Sequence, residues 1–342
     1  MNTDQPYGAA MARAIAESRA AMGVSSPNPP VGAVIVDDAG AVLGVGHTQA
    51  AGGAHAEIMA LREAGDRARG ATAVVTLEPC DHTGRTGPCT RALIDAGIAR
   101  VVFAVSDPNP EAADGADTLR KAGIDVIVGV GGGEAFNGPL RGWLHRQETG
   151  RPCVIAKTAT TIDGRVAAAD GTSRWITGEG AREDAHRVRA GMDAIVVGTG
   201  TALADNPSLT ARKPDGSLYE HQPTRIVVGK RELPDDAAVL DDSAPTKLVR
   251  SHDPHDVLAA VPDALNVLVE GGPAVLGAFL AAGLVDEVHA YIAPTILGAG
   301  ANAVDDSTVS TLAEAHRFVI VQAGLVTPDA DVKLVLRRHP DL

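Results

Sequence analysis

Aromatic residues are scarce in this 342-residue sequence, at 3% of the chain. Ala, Val and Gly abound instead, so the core is expected to be small aliphatic side chains on many short strands and helices. Cysteines are also few: Cys80, Cys89 and Cys153. Three thiols in a reducing compartment exclude a disulfide framework and leave metal binding or burial for each. No Lys/Arg block with interleaved aromatics occurs, and the net charge is −13. That excludes a general nucleic-acid binder, whose affinity comes from clustered cations, but leaves room for a small anionic ligand. No run of 18 apolar residues is present, and the first residues lack a basic segment followed by an apolar one. No membrane span and no signal peptide are expected, and the protein is expected to be cytoplasmic.

The hydrophobic fraction of 45% and charged fraction of 21% are ordinary for a globular protein, and the length favours two domains. Residues 5–22 have the spacing of an amphipathic helix. "VGAVIVDD" and "AVLGVGHTQ" predict two strands joined by a tight turn. Helix and strand then alternate through "HAEIMALREAGDRA", "ATAVVTLE", "CTRALIDAGI", "ARVVFAVSDPNP", "ADTLRKAGI" and "DVIVGV". Continuous apolar strands predict an α/β fold with a largely parallel sheet covered on both faces. Residues 129–152 carry glycines, a helix candidate and Pro152, which places a domain boundary there. A second alternation follows, from "CVIAKTAT" to two terminal strands at "RFVIVQAGLV" and "VKLVLRR". The expected domains are 1–150 and 151–342.

"AHAEIMAL" puts His55 and Glu57 two residues apart where a helix begins. Alone, this is equally the polar first turn of a surface helix, since acids suit that end of the helix dipole. "LEPCDHTGRTGPC" then brings Cys80 and Cys89, each after a proline. His, Cys and Cys make a three-ligand zinc set that leaves a fourth position for water. A deaminase must also deliver a proton to the departing amine, and Glu57 lies within one turn of a ligand. His-x-Glu followed by Pro-Cys and a second Cys is the zinc-deaminase pattern, with the Glu as acid/base and not as ligand. The eight residues between the cysteines exceed the usual spacing. His82 reads as a loop or substrate contact. Cys153, at a strand start, reads as a buried core thiol.

At this point the sequence resembles the bifunctional riboflavin-biosynthesis deaminase–reductase family. In the first half the resemblance rests on "SPNPPVGAVIV" (26–36), "AHAE" (54–57), "TLEPCDHTGRTGPC" (76–89) and "VSDPNP" (105–110). In the second half it rests on "AKTATTIDGRVA" (156–167), "SRWITGEGAR" (173–182), "GTGTALADNPSLTAR" (198–212), "VEGG" (269–272) and "APTILG" (293–298). Two departures stand out: "GPC" replaces a double proline before the second cysteine, and "PEAADGADTL" lacks the family's Ala-Gly-x-Gly. The resemblance implies a cytidine-deaminase-like α/β/α domain over 1–150 and a dihydrofolate-reductase-like α/β domain over 151–342. It implies zinc-dependent deamination of a diaminopyrimidinone bearing a phosphoribosylamino group, then NADPH-dependent reduction of the ribosyl chain to ribityl. Both substrates would be small phosphorylated pyrimidines. Carried over residue by residue, Asn28, His47, Arg85, Asp107 and Asn109 would hold the deaminase substrate. Lys157 would be catalytic in the reductase, with Ser173, Arg189, Leu209, Arg212 and Glu270 lining its substrate site. Ala159, Trp175, Thr201, Asp205 and the run Gly272, Pro273, Ala274, Val275, Leu276, Gly277 and Ala278 would contact NADPH. A homo-oligomer, dimeric through the reductase domain, is also implied.

The residues themselves support parts of this. Lys157 is a lone cation in an apolar strand, which costs free energy unless it is paired. Glu270, at the end of a strand of the same sheet, is suited to pair with it or to hold a sugar hydroxyl. Arg189 and Arg212 suit a 5′-phosphate, because guanidinium forks match phosphate oxygens. Arg189 equally suits a solvated helix face. "VEGGPAVLGAFL" reads as strand, Gly-Gly and helix, a start that suits a cofactor phosphate or is a plain connection. "GTGTALADNP" reads as a long loop at a strand's carboxyl end, where open α/β sheets bind ligands. "GVGGGE" (129–134) is set aside as a dinucleotide fingerprint for want of a strand–helix context. Two other readings stay open: a nucleoside deaminase with an unrelated second domain, and a non-catalytic zinc module. Glu57 argues against the latter, since a structural zinc site has no use for it.

Overall fold

The structure is a computed structural model that describes residues 7–82, 87–109 and 114–338. The chain divides into two compact units, 1–151 and 152–342.

The first unit contains α1 (Gly8–Ser18), β1 (Gly32–Val36), β2 (Val42–His47), α2 (Ala56–Ala64), β3 (Thr72–Leu77) and α3 (Cys89–Asp95). It continues with β4 (Arg100–Val105), α4 (Gly115–Lys121), β5 (Asp125–Val128), α5 (Gly132–Asn137) and α6 (Arg141–Thr149). Its sheet has the order β2-β1-β3-β4-β5. Only β3, β4 and β5 run parallel; β1 is antiparallel to both β2 and β3. The expectation of a largely parallel sheet fails here, because the tight turn after β1 makes a hairpin and β1 enters the sheet reversed. The strands β1 and β3 are buried along their whole length, as two-sided coverage requires. On β2, Gly44 and Gly46 let α2 lie almost on the strand. A Cβ at Gly44 would stand 2.3 Å from the Ala60 carbonyl oxygen, and one at Gly46 2.5 Å from that of Ala56. That close approach sets the depth of the α2 start, where His55 and Glu57 lie.

The second unit contains β6 (Cys153–Thr161), β7 (Arg165–Ala167), α7 (Glu179–Ala190), β8 (Ala194–Gly198), α8 (Thr199–Asp205), β9 (Thr224–Val228) and β10 (Thr246–Val249). It continues with α9 (Pro254–Ala259), β11 (Asn266–Val269), α10 (Pro273–Ala281), β12 (Glu287–Ala293), β13 (Ala301–Asn302), β14 (Phe318–Val326) and β15 (Asp331–Arg338). Eight strands form one sheet in the order β10-β9-β8-β11-β6-β12-β15-β14. It is parallel from β10 to β12 and antiparallel across β15 and β14. Val154, Val196, Val267, Leu276 and Phe279 pack one face, while Ile155, Ile195, Val197 and Leu268 pack the other.

Two local expectations are corrected. Residues 199–205, expected as loop, form α8, since Thr-Gly-Thr-Ala-Leu-Ala carries no breaker after its first glycine. "GVGGGE" does have a strand–helix context: β5 leads through Gly129 and Gly131, both at positive φ, into α5. The helix it opens has six residues, and the strand is the sheet's edge.

Candidate active sites

In the first unit, His55 is the N-cap residue of α2 and Glu57 lies in its first turn. Cys80 follows β3, and Cys89 opens α3. Strand ends and helix starts thus converge on one point. The His55 nitrogen and the two sulfurs lie within 4.8 Å of one another. His55 Nδ1 is 3.3 Å from Cys89 Sγ and 3.6 Å from Cys80 Sγ. A tetrahedral zinc with bonds of about 2.3 Å to sulfur and 2.0 Å to nitrogen places those atoms about 3.5 Å apart. The donor set therefore fits zinc. In the metal-free site a Cys89 S–H bond to Cys80 lowers the Cys80 thiol and raises that of Cys89. A cation between them takes the place of that proton. His82 is exposed and lies outside this group.

Glu57 is 4% exposed. Burial raises its carboxyl to about 7, and the charge on Cys80 adds to the rise. Such a group can accept or donate a proton near neutrality. Two acids that sequence reading passed over shape the surroundings. Glu78, buried, accepts from the backbone N–H of Asp107 at 3.3 Å and of Ala116 at 2.9 Å, which fixes the Asp107–Asn109 turn. Asp81 accepts from Thr90 at 2.5 Å and Thr118 at 2.6 Å, tying the cysteine loop to α3 and α4. Glu78, like Lys157, is a charge at an apolar strand, which costs free energy unless it is paired. Asn28 and His47 are half-buried, and His47 stands 3.8 Å from Glu17. Arg85 lies outside the described residues.

In the second unit, a cavity of about 640 Å³ collects Lys157, Ala159, Ser173, Trp175, Arg189, Thr201, Asp205, Leu209, Arg212 and Glu270. That size suits small-molecule ligands. Lys157 has the partner that its place in β6 demands: its Nζ is 3.6 Å from Glu270 Oε2. Glu270 also takes a two-point contact from Arg189, Nε at 2.7 Å and Nη2 at 2.8 Å. Burial alone would raise the Glu270 carboxyl, but the Arg189 and Lys157 charges outweigh it and hold it at about 2. Arg189 Nη1 donates to the Thr210 carbonyl at 3.1 Å. The Arg189 fork, expected to clamp a phosphate, is engaged here by a carboxylate. Arg212 differs: its Nε donates to Thr210 Oγ1 at 2.9 Å, and its two terminal nitrogens have no partner among the described residues. Behind Lys157, buried Tyr291 donates to Asp184 at 2.6 Å, and Lys333 reaches the same oxygen at 2.6 Å.

The cofactor expectations divide. Trp175 is 71% exposed beside the Arg182 guanidinium, with Thr201 and Asp205 on the same cavity. Gly272 sits next to Thr201, where a Cβ would come within 3.1 Å of its hydroxyl. A bare backbone beside a hydroxyl is a cradle that fits a nucleotide. Residues 272–278 do not themselves line the cavity. Leu276 is turned into the core, and a Cβ on Gly277 would lie 1.8 Å from the Asp305 carbonyl oxygen. Their packing within α10 leaves only backbone atoms of these two for the expected contact with NADPH.

The fold and sites together define a zinc-dependent deaminase joined to an NADPH-dependent reductase. Two family models match the chain: "Cytidine and deoxycytidylate deaminase zinc-binding region" over residues 4–105 and "RibD C-terminal domain" over 152–326. The riboflavin biosynthesis protein RibD of Mycobacterium tuberculosis is 52% identical, covering 98% of this chain and 100% of that one. RibD of Escherichia coli is 40% identical over 95% of this chain and 98% of its own. A crystal structure from Thermotoga maritima, described as a diaminohydroxyphosphoribosylaminopyrimidine deaminase/5-amino-6-(5-phosphoribosylamino)uracil reductase, superposes with a TM-score of 0.87 at 33% identity. It covers 97% of this chain and 99% of that one. The chain belongs to the RibD family of bifunctional riboflavin-biosynthesis enzymes. Among the described residues no helix is long and apolar enough to cross a membrane.

Proposed function

We propose that the unit of residues 1–151 deaminates 2,5-diamino-6-(5-phosphoribosylamino)pyrimidin-4-one, and that the unit of residues 152–342 reduces the resulting 5-amino-6-(5-phosphoribosylamino)uracil to its ribityl form. The observation that carries this reading is a buried acid beside a His/Cys/Cys set in one unit, and a Lys–Glu–Arg cluster in a cavity of the other.

In the deaminase site, zinc held by His55, Cys80 and Cys89 supplies a Lewis acid that brings the pKa of water toward neutrality. Glu57 takes one proton from the attacking water and delivers it to the ring nitrogen, then moves the remaining hydroxyl proton to the exocyclic amine, which leaves as ammonia as the carbonyl forms. Asn28, His47, Asp107 and Asn109 hold the substrate; for Arg85 the role rests on the family resemblance alone. In the reductase site, NADPH supplies hydride to C1′ of the sugar. The ring oxygen leaves C1′ and takes up one proton. Lys157 stabilises the charge that develops there, Glu270 fixes Lys157 and a sugar hydroxyl, and Arg189 fixes Glu270. Ser173 and Leu209 line the substrate, and Arg212 takes the 5′-phosphate with its free fork. Ala159, Trp175, Thr201, Asp205 and the backbone of 272–275 receive the cofactor.

The working assembly is a homodimer through the second unit. Its edge strand β14 exposes Ile320 at 59% and Leu325 at 70%, beside an unpaired row of backbone groups. Light scattering of the intact chain tests this. Cytoplasmic placement fits three buried free thiols. The decisive experiment supplies the diaminopyrimidinone phosphate with and without NADPH and identifies products by mass. Deaminated product alone without NADPH, and the ribityl product with it, is the expected result. Failure of either step overturns the corresponding assignment.

A further inference from the structure

The cavity's phosphate end is a short stretch, residues 210–212, with no regular structure apart from an isolated bridge between Arg212 and Leu218. Arg212, whose free fork carries the proposed contact, sits on it and is exposed. A long exposed cation on such a stretch presents its fork in a defined place only if the backbone beneath is held.

Three side chains hold it. Gln222 grips Ala211 from both sides: Oε1 accepts from Ala211 N at 2.8 Å, and Nε2 donates to Ala211 O at 2.9 Å. Arg189 donates to the Thr210 carbonyl. His186, from α7, stands with Nδ1 3.1 Å from that same carbonyl and 3.3 Å from Arg212 N. One ring nitrogen cannot donate to the carbonyl and accept from the amide at once. Either tautomer nevertheless ties the ring to this stretch. Burial and the neighbouring Arg189 charge lower the His186 pKa to about 4, so the ring stays neutral and both tautomers remain open to it. His186 and Arg189 are three residues apart on one helix face, so α7 reaches the stretch twice.

We propose that His186 and Gln222 are positioning residues of the reductase: by fixing the backbone of residues 210–212 they aim Arg212 at the substrate phosphate. This rests on the reading that Arg212 binds that phosphate. It assigns His186 a part in substrate recognition without contact with the reacting atoms.

The test measures NADPH oxidation by the full chain with the phosphorylated deaminated intermediate and with its dephosphorylated analogue. H186A should raise KM for the phosphorylated substrate roughly three- to tenfold, the worth of about one hydrogen bond. Its kcat, and its KM for the analogue, should stay within about twofold of wild type. H186N offers a donor and an acceptor near the place of Nδ1 and should restore most of the loss, whereas H186F should behave as H186A. Q222A should show the same phosphate-selective rise. R212A separates phosphate binding by Arg212 from its positioning by His186 and Gln222. If R212A lacks a phosphate-selective rise in KM, the reading of Arg212 fails. If R212A shows that rise and H186A does not, or if H186N is as impaired as H186A, the positioning role is overturned.

Discussion

Arg189→Met removes one partner of a buried ion pair and keeps much of the side-chain volume. Glu270 then keeps only Lys157, at 3.6 Å, in place of a two-point guanidinium contact at 2.7 and 2.8 Å. Stripping one partner from a buried pair costs roughly 3–5 kcal/mol. Because Lys157 remains, the lower end applies, about 3 kcal/mol. For a unit of this size that is a fall in Tm of roughly 6–12 °C. The loss depends on pH, with a definite sign. In the wild type the folded Glu270 carboxyl, at about 2, lies below its ordinary value of 4.5. It therefore adds stability above about pH 4.5, and this is lost as pH falls toward 2. Without Arg189, burial is no longer outweighed and the carboxyl moves up. The stability gap between wild type and variant should be widest near neutrality and close as the solution is acidified. Denaturant unfolding between about pH 7 and pH 3 reads this directly. Reduction should fall for both the phosphorylated substrate and the dephosphorylated analogue, because Glu270 serves the sugar, and further for the phosphorylated one, because Arg189 also holds the Thr210 carbonyl. Unchanged stability, or a loss confined to the phosphorylated substrate, would refute the pairing and restore Arg189 as a phosphate ligand.

Other outcomes are fixed by the same geometry. Glu57→Gln should retain about one zinc per chain by metal analysis yet lose deamination by roughly 10²–10⁴-fold, while reduction of the deaminated intermediate stays near wild type; near-normal turnover in the zinc-loaded variant would sink the role. Lys157→Ala should lower kcat for reduction with little change in KM, since it removes an interaction made in the transition state. Stripping metal with a strong chelator should abolish deamination, leave NADPH oxidation on the deaminated intermediate intact, and be reversed by added zinc. Glu78→Gln leaves one backbone N–H of the pair from Asp107 and Ala116 without its acceptor and should cost about 1–3 kcal/mol by thermal denaturation, with a raised KM for deamination alone.

Much of this was legible in the sequence because period and composition report local structure. The helix opening at Cys89 and the strand opening at Cys153 lie where the sequence pattern puts them. The zinc set was legible because ligand identity is a property of residue type. What was not legible depends on tertiary partners. Arg189 reads as a phosphate fork or a solvated helix residue until β11 places Glu270 against it. Leu276 and Gly277 read as part of a nucleotide-binding turn, yet Leu276 is turned into the core and the Asp305 backbone lies against Gly277. The reversed β1 was implicit in its hairpin, but its antiparallel pairing with β3 is a long-range contact that local spacing does not report. The span 199–205 was passed over because glycine and asparagine at its ends signal loop more strongly than Ala-Leu-Ala signals helix.

The two sites also show why residue type alone could not assign roles to the acids. Glu57 and Glu270 are both buried carboxylates. Glu57 has thiol sulfur beside it, so in the metal-free site burial prevails and its carboxyl rises to about 7. Glu270 has Arg189 and Lys157 beside it, so charge prevails and it stays ionised at about 2. The first is built to exchange protons and the second to hold cations still. Exchanging the environments should exchange the roles. Loss of Arg189 moves Glu270 upward, toward a protonated acid that no longer steadies Lys157. The charge of the neighbours, more than depth of burial, divides the deaminating carboxylate from the reductase's structural one.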